Sequence, residues 1–258
     1  MHGQTRSDAR GLRFLVFQHV DVEHPGIFRD FWREAGIAWD AVELDVGEPI
    51  PELEAYDALI VMGGPMDVWQ EAEHPWLVAE KAAIRRFVKD LKRPYLGFCF
   101  GHQLLASALG GSVQLAKVPE VGAGTVALTP AGAADPLFAG LPAPLRTFQW
   151  HGAEVARLPE GCEVLARNDA CAVQAFRFGD VAYGIQYHVE LTDVTVPEWQ
   201  RIPEYAASLE AALGSERASR LADDTSKLLP EFAAAARRLN DNFLKLVTAS
   251  VRSTTTAM

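Results

Sequence analysis

One cysteine of the chain stands in a setting that suits a nucleophile. Cys99 lies in the stretch GFCFGHQ, where an apolar strand is expected to turn into a helix, with Gly97 two residues before it and Gly101 two residues after it. A strained strand-turn-helix elbow crowds these two flanking positions together, so both must be small. The free N–H groups and positive dipole end of the following helix favour a thiolate. The pattern predicts an exposed, activated nucleophile at Cys99, whereas Cys162 and Cys171 are expected to be structural.

The stretch YGIQYHVE supplies the groups that such a nucleophile needs. A thiolate requires a proton-transfer partner, most often a histidine that a carboxylate holds in one orientation. His188 and Glu190 are alternate residues of an extended segment and therefore lie on one face of it. We expect Cys99, His188 and Glu190 to form a catalytic triad.

Two other positions could stabilise the oxyanion of an acyl-transfer reaction. Such an oxyanion is bound by backbone N–H donors that are already in place. Gly63 and Gly64 directly follow an apolar strand in VMGGPMDV, and a glycine there presents an unobstructed N–H. Phe100, immediately after the predicted nucleophile, is the expected second donor.

The elements that must position these residues alternate between strand and helix. Apolar strand-like runs begin at Arg13, Trp39, Asp57 and Pro94. Helical spacing of apolar residues occurs between them, at 26–35 and 75–91. This alternation predicts an open, mostly parallel α/β sheet with helices on both faces. Ligands bind such sheets beyond the carboxyl ends of the strands, where the loops after Met62, Phe98 and Gln186 would meet.

The same pattern divides the chain into four parts. Residues 12–195 are predicted to form the α/β domain, with shorter strands and antiparallel ribbon over 112–187. Residues 196–250 are predicted to be helices packed on that domain, because their apolar residues recur at helical spacing. A flexible N-terminus is expected over 1–11 and a flexible tail over 251–258.

Taken together, these stretches resemble the class I, or triad, glutamine amidotransferase family, as in the amidotransferase domain of GMP synthetase. The shared motifs occur in the family's order over residues 13–191: MGGPMDV, GFCFGHQLLASALGG, PEVG, QWHG and GIQYHVE. Any one of them alone would be a weak signal, whereas the set is specific.

The resemblance implies a flavodoxin-like fold and cleavage of the γ-amide of glutamine or of another γ-glutamyl small molecule. In that chemistry Cys99 attacks the amide carbon, His188 protonates the departing ammonia, and water hydrolyses the γ-glutamyl thioester. The family also suggests that Gln103 helps to hold the substrate and that backbone at His151 and Gly152 contacts its α-amino acid end. No cofactor is implied.

Two positions depart from the family pattern. The family usually has proline between its histidine and glutamate, where this chain has Val189. A β-branched residue keeps the segment extended, so we expect the pair to survive. Relatives often follow WHG with aspartate, where this chain has Ala153, a change that bears on substrate recognition more than on chemistry.

Several functions remain open at this level. No SGGVDS-like phosphate loop of GMP synthetase follows Glu190, so full GMP synthesis is not expected. The chain is predicted to be a stand-alone γ-glutamyl amide hydrolase or an ammonia-supplying subunit with a synthetase partner, and a homo-oligomer is also open. A non-catalytic regulatory or interaction module is the alternative, although every triad member is retained. A DJ-1-like cysteine hydrolase would pair its cysteine with an early glutamate, for which VFQHVDVEH offers no clear counterpart.

Charge and cysteine usage restrict the partners and the compartment. The formal net charge of −10 argues against nucleic-acid and anionic-membrane surfaces, which concentrate lysine and arginine. We therefore expect no nucleic acid and no membrane as partners. Three cysteines and the lack of a signal-peptide core predict a cytoplasmic protein. No CxxC or HExxH spacing occurs, so no metal site is expected.

Overall fold

The computed structural model of the protein describes residue 9 and residues 11–256. Within them, nine strands form one sheet: β1 (Arg13–Gln18), β2 (Ala38–Glu43), β3 (Ala58–Val61), β4 (Tyr95–Phe98), β5 (Ser112–Leu128), β6 (Leu145–Arg157), β7 (Cys162–Arg167), β8 (Ala175–Phe178) and β9 (Ala182–Ile185). Their spatial order is β2-β1-β3-β4-β9-β8-β7-β5-β6.

The sheet has a parallel half and an antiparallel half. Strands β2, β1, β3, β4 and β9 pair in parallel, in the order known from flavodoxin-like doubly wound folds. From β9 onward, β8, β7, β5 and β6 pair in antiparallel fashion. The predicted flavodoxin-like α/β class is confirmed, but parallel pairing extends over half of the sheet rather than most of it.

Helices precede and follow the strands in the expected alternation. They are α1 (Phe28–Ala35), α2 (Trp76–Arg85), α3 (Phe100–Ala108), α4 (Pro130–Ala134), α5 (Thr195–Trp199), α6 (Pro203–Ala218), α7 (Leu221–Ser226) and α8 (Leu229–Thr256). A π-helical segment, Arg86–Asp90, continues α2, and short 3-10 turns lie at Leu53–Ala55 and Pro136–Phe138.

Alternation along the strands sends apolar side chains to both faces of the sheet. In β1, Phe14 and Val16 pack with α1 and α8, whereas Leu15 and Phe17 pack with α2 and α3 on the opposite face. The central parallel strands β3, β4 and β9 are therefore buried along their whole length, as expected for a sheet covered on both sides, whereas the edge strand β2 keeps Asp40 and Glu43.

The helices after residue 195 share this core. Leu239 and Phe243 of α8 are buried in the same cluster as Phe14. Helices α5, α6 and α7 close a smaller cluster around Phe148 and Trp150 of β6. The division of the chain at residue 195 stays a prediction.

The chain ends depart from the expected boundaries. Ala9 is buried in the core, and α8 continues to Thr256, so the packed structure extends into both segments that were expected to be flexible. Partly buried Val251 packs against the core, which explains why the helix continues past residue 250. Residues 1–8, 10, 257 and 258 lie outside the described part of the chain.

Candidate active site

Cys99 occupies a strained turn between β4 and α3. Its φ of 48° and ψ of −100° are uncommon for a residue with a side chain. The backbone N–H of Cys99 donates to the carbonyl of Ile185, at 2.8 Å, which ties the turn to β9. The strand-turn-helix elbow expected at this cysteine is therefore present in the structure.

Close backbone packing requires both flanking glycines. A Cβ on Gly97 would lie 2.6 Å from the carbonyl oxygen of Gly101. A Cβ on Gly101 would lie 2.2 Å from the carbonyl oxygen of Val61, in β3. Since real Cβ contacts do not approach so closely, larger residues at either position would displace the elbow from the neighbouring strand.

His188 and Glu190 follow β9 and face each other. Nδ1 of His188 lies 2.5 Å from Oε1 of Glu190. The backbone of His188 is held by two hydrogen bonds with Phe148 of β6, of 2.8 and 3.0 Å. The N–H of Val189 donates to Oε2 of Glu190 at 2.9 Å, a bond that proline could not make. The N–H of Ile27 donates to the Glu190 carbonyl at 2.9 Å.

The surroundings of His188 favour its charged form. Burial lowers the pKa of His188, but the carboxylate of Glu190 and the sulfur of Cys99 outweigh that effect and raise this pKa well above its ordinary value. The indole ring of Trp199 packs edge to face against the imidazole, with the two ring centroids 4.8 Å apart. The arrangement therefore suits an imidazolium beside a thiolate.

The sulfur of Cys99 lies at the floor of a cleft. Only 6% of the residue's surface is exposed, so Cys99 is less accessible than the exposed nucleophile that the sequence predicted. Nε2 of Gln186 donates to the sulfur at 3.5 Å, and the sulfur lies 3.7 Å from the carbonyl oxygen of Trp150. Sequence reasoning missed Gln186, although it stands two residues before His188 and so faces the same side of the segment.

The cleft has a volume of about 190 Å³ and opens at the carboxyl end of the parallel strands. It is lined by Gly64, Pro65, Met66, Asp67, Cys99, Phe100, Gln103, Leu115, Trp150, His151, Gly152, Ala153, Glu204, Tyr205 and Ser208. Of the two predicted oxyanion glycines, Gly64 lines the cleft and Gly63 lies behind it. Phe100, Gln103, His151 and Gly152 also line the cleft, and the roles expected for them stay predictions.

Gln103 and His151 are both held by the backbone of Ala153. Nε2 of Gln103 donates to the Ala153 carbonyl and to Oε1 of Gln186, each at 3.1 Å. Both amide protons of Gln103 are thus engaged, and its carbonyl oxygen is the atom left for a ligand. Nδ1 of His151 donates to the Ala153 carbonyl at 3.0 Å, and its Nε2 lies 3.2 Å from Glu120.

The loop after β1 brings a second carboxyl group behind the cleft. Glu23 is buried and accepts a hydrogen bond of 2.5 Å from the hydroxyl of Tyr205, in α6. Burial raises the pKa of Glu23 to about 7, while the charge of His188 and the Tyr205 hydrogen bond act in the opposite direction. Sequence reasoning missed this residue because its partner is 182 positions away.

Two further findings concern the described residues as a whole. They contain no group of three or more histidine, cysteine, aspartate or glutamate side chains placed to hold a metal ion. None of the helices in the described part of the chain is both long and apolar enough to cross a membrane.

Sequence comparison places this geometry among known proteins. The family described as glutamine amidotransferase class-I matches residues 31–195, more than half of the chain. A glutamine-hydrolyzing GMP synthase subunit of Sulfolobus acidocaldarius is 33% identical over 153 residues, which are 59% of this chain and 77% of that protein. Gamma-glutamyl peptidase 4 of Arabidopsis thaliana is 32% identical over 170 residues, 64% of this chain and 66% of that protein.

Structural comparison agrees with the sequence. A crystal structure of a glutamine amidotransferase from Thermotoga maritima superposes with a TM-score of 0.80 at 28% identity, over 90% of this chain and 98% of that one. The chain belongs to the class I glutamine amidotransferase family.

Proposed function

We propose that this protein hydrolyses the γ-amide of glutamine or of a related γ-glutamyl compound through a Cys99–His188–Glu190 triad. The observation that carries the proposal is the pair of His188 and Glu190, 2.5 Å apart, beside a cysteine held at a φ of 48° in the same site. A strained elbow, an oriented imidazole and a cleft above the sulfur are what thiol acyl transfer needs.

The proposed reaction proceeds in two halves. The Cys99 thiolate attacks the amide carbon, and the N–H groups of Gly64 and Phe100 bind the oxyanion. The His188 imidazolium then gives its proton to the departing ammonia or amine, which leaves a γ-glutamyl thioester. Neutral His188 next takes a proton from water, and the hydroxide attacks the thioester. Glutamate and the Cys99 thiolate are released, and His188 is again charged.

Other parts of the cleft support substrate binding. The free carbonyl oxygen of Gln103 could accept a hydrogen bond from the substrate's α-ammonium group, and Asp67 and Glu204 add negative charge to the lining. Backbone at His151 and Gly152 lies on the same wall. We also expect a cytoplasmic location, because the three cysteines are free.

The test compares amide cleavage by the wild type and Cys99→Ala, with glutamine and several γ-glutamyl peptides as substrates and ammonia, amine and glutamate as measured products. We expect Cys99→Ala to lose at least about 10³-fold in turnover, since its nucleophile is gone. Cys162→Ser, outside the cleft, is the matched control and should keep wild-type turnover. Undiminished turnover in Cys99→Ala would refute the assignment.

A second candidate is an ammonia-supplying role beside a synthetase, because the chain is similar to a glutamine-hydrolyzing GMP synthase subunit. Turnover that appears only with co-purified proteins would favour that role. A wild type that neither cleaves these compounds nor forms a thioester, even with such partners, would instead favour the interaction module.

A further inference from the structure

A fully buried histidine contacts the segment that carries one proposed oxyanion donor. His19 directly follows β1, and its Nδ1 lies 2.8 Å from the carbonyl oxygen of Gly63. A carbonyl only accepts hydrogen bonds, so Nδ1 must carry a proton. The side chain also reaches the next residue, since a Cβ on Gly64 would lie 3.0 Å from the Cβ of His19.

The imidazole of His19 is fixed on several sides. Its Nε2 lies 2.9 Å from Oε1 of Glu80, a fully buried residue of α2. The ring of Trp76 stacks on it, and the ring of Phe100 meets it edge to face at 4.9 Å. Burial lowers the pKa of His19, but Glu80 and the Gly63 carbonyl outweigh that effect, with a contribution from Glu23, and the net pKa is raised. The Gly63 carbonyl and the Glu80 carboxyl group thus place an acceptor beside each ring nitrogen.

The bond to Gly63 determines which way the next N–H points. In a trans peptide the carbonyl of Gly63 and the N–H of Gly64 point in opposite directions. With the carbonyl bound to buried His19, the N–H of Gly64 faces away from it, on the side where Gly64 lines the cleft. Two successive glycines restrict this peptide little by themselves, and a flipped peptide would place a carbonyl oxygen where the oxyanion develops.

We infer that His19, supported by Glu80, is a positioning residue that holds the Gly63–Gly64 peptide with its N–H directed at the oxyanion, so that this donor is in place before substrate binds. The inference rests on the proposed function, because it takes Gly64 as an oxyanion donor. His19 acts through the peptide and does not itself touch the substrate.

Two variants separate the bonds that His19 makes. Both are built on Glu80→Gln, so that no unpaired carboxylate is left buried, and this parent is the reference. His19→Asn keeps an amide N–H near the position of Nδ1 and can still donate to Gly63. His19→Gln extends its amide toward the position of Nε2 and leaves the Gly63 carbonyl without a donor.

We expect kcat for γ-glutamyl amide hydrolysis to fall about 10²–10³-fold in His19→Gln, with little change in KM, and to stay within about tenfold of the parent in His19→Asn. Alkylation of Cys99 by iodoacetamide develops no oxyanion and should proceed at the parent's rate in both variants. Equal kcat in the two variants, or alkylation that falls in parallel with kcat, would overturn the inference.

Crystal structures of the two variants show the orientation of the Gly63–Gly64 peptide directly, whether or not the protein hydrolyses an amide. A reoriented Gly63–Gly64 peptide is expected in His19→Gln and the original orientation in His19→Asn. An unchanged peptide in both would overturn the inference. If the peptide reorients as expected while the wild type cleaves no γ-glutamyl amide even with co-purified partners, the proposed function fails, and what stands is that His19 orients the Gly63–Gly64 peptide.

Discussion

At the scale of single residues, the state of the Cys99 sulfur depends on the few groups that touch it. Gln186 donates to the sulfur at 3.5 Å, and His188 contributes a positive charge nearby. A donor and a cation both favour a thiolate over a thiol. The amide of Gln186 is itself oriented by its bond from Gln103, so the hydrogen bond to sulfur is built into the fold.

Replacing Gln186 should therefore make the thiolate harder to form. We expect Gln186→Met to slow the alkylation of Cys99 by iodoacetamide at neutral pH by about tenfold, because a hydrogen bond to a charged group contributes about 1.5–3 kcal/mol, of which solvent recovers part. The measurement is the alkylation rate against pH in a background with Cys162 and Cys171 changed to serine.

Gln149→Met provides the matched control, since Gln149 is another buried glutamine and its bonds go to Thr147 and Gln174. That variant should keep the wild-type profile. Identical profiles for the two glutamine variants would show that Gln186 does not stabilise the thiolate.

At the scale of elements, the site is assembled where the loop after β1 meets α6. Glu23 from the loop and Tyr205 from the helix form one hydrogen bond behind the cleft, and Tyr205 also lines the cleft. Oε2 of Glu23 has no hydrogen-bond partner. An ionised carboxylate with one unsatisfied buried oxygen is costly, so the neutral form is favoured in the fold.

The raised pKa of Glu23 predicts a pH-dependent stability. Its ordinary value is 4.5, and burial raises it to about 7 in the folded protein. Between these pH values the folded state holds the proton and the unfolded state does not, so this group's contribution to stability falls as pH rises from about 4.5 to about 7. Glu23→Gln removes the decline.

We expect the unfolding free energy of Glu23→Gln relative to wild type to be higher at pH 8 than at pH 5, by about 1–3 kcal/mol. Urea unfolding at the two pH values measures it. Glu52→Gln, at an exposed position, controls for the change in net charge. A difference between wild type and Glu23→Gln that is the same at both pH values would contradict the assignment of a buried neutral carboxyl.

At the scale of the whole molecule, the last helix belongs to the main core. Phe243 is 2% exposed, and its ring meets Phe14 of β1 edge to face at 6.4 Å. Asn240 accepts a hydrogen bond of 3.1 Å from the indole of Trp32, and Asn242 donates to the carbonyls of Leu137 and Ala139. The sheet and α8 should therefore unfold together.

We expect Phe243→Ala to lower the free energy of unfolding by about 3–5 kcal/mol, because it leaves a cavity between α8 and the sheet. Urea unfolding followed by circular dichroism should coincide with exposure of Cys99 to a thiol reagent. Lys245→Ala, on the exposed side of α8, should stay within about 0.5 kcal/mol of wild type. Loss of helical signal before the thiol becomes reactive would mean that the C-terminal helices form a separate unit.

The sequence by itself determined those features whose physical cause is local. Gly97 and Gly101 flank Cys99 because an elbow crowds positions two residues away, and His188 and Glu190 share a face because an extended chain has a period of two. Strand and helix alternation likewise predicted the α/β class, and helices were expected over 26–35 and 75–91, where α1 and α2 lie. Each of these patterns is readable within a few residues.

Only the tertiary structure decided which distant side chains meet. His19 lies 61 positions from Glu80, and Glu23 lies 182 positions from Tyr205, and no local pattern encodes either pair. Short strands were expected over 112–187, but β5 runs for 17 residues and pairs with both β6 and β7. Such contacts depend on how whole elements pack, since burial and pairing can override local turn signals.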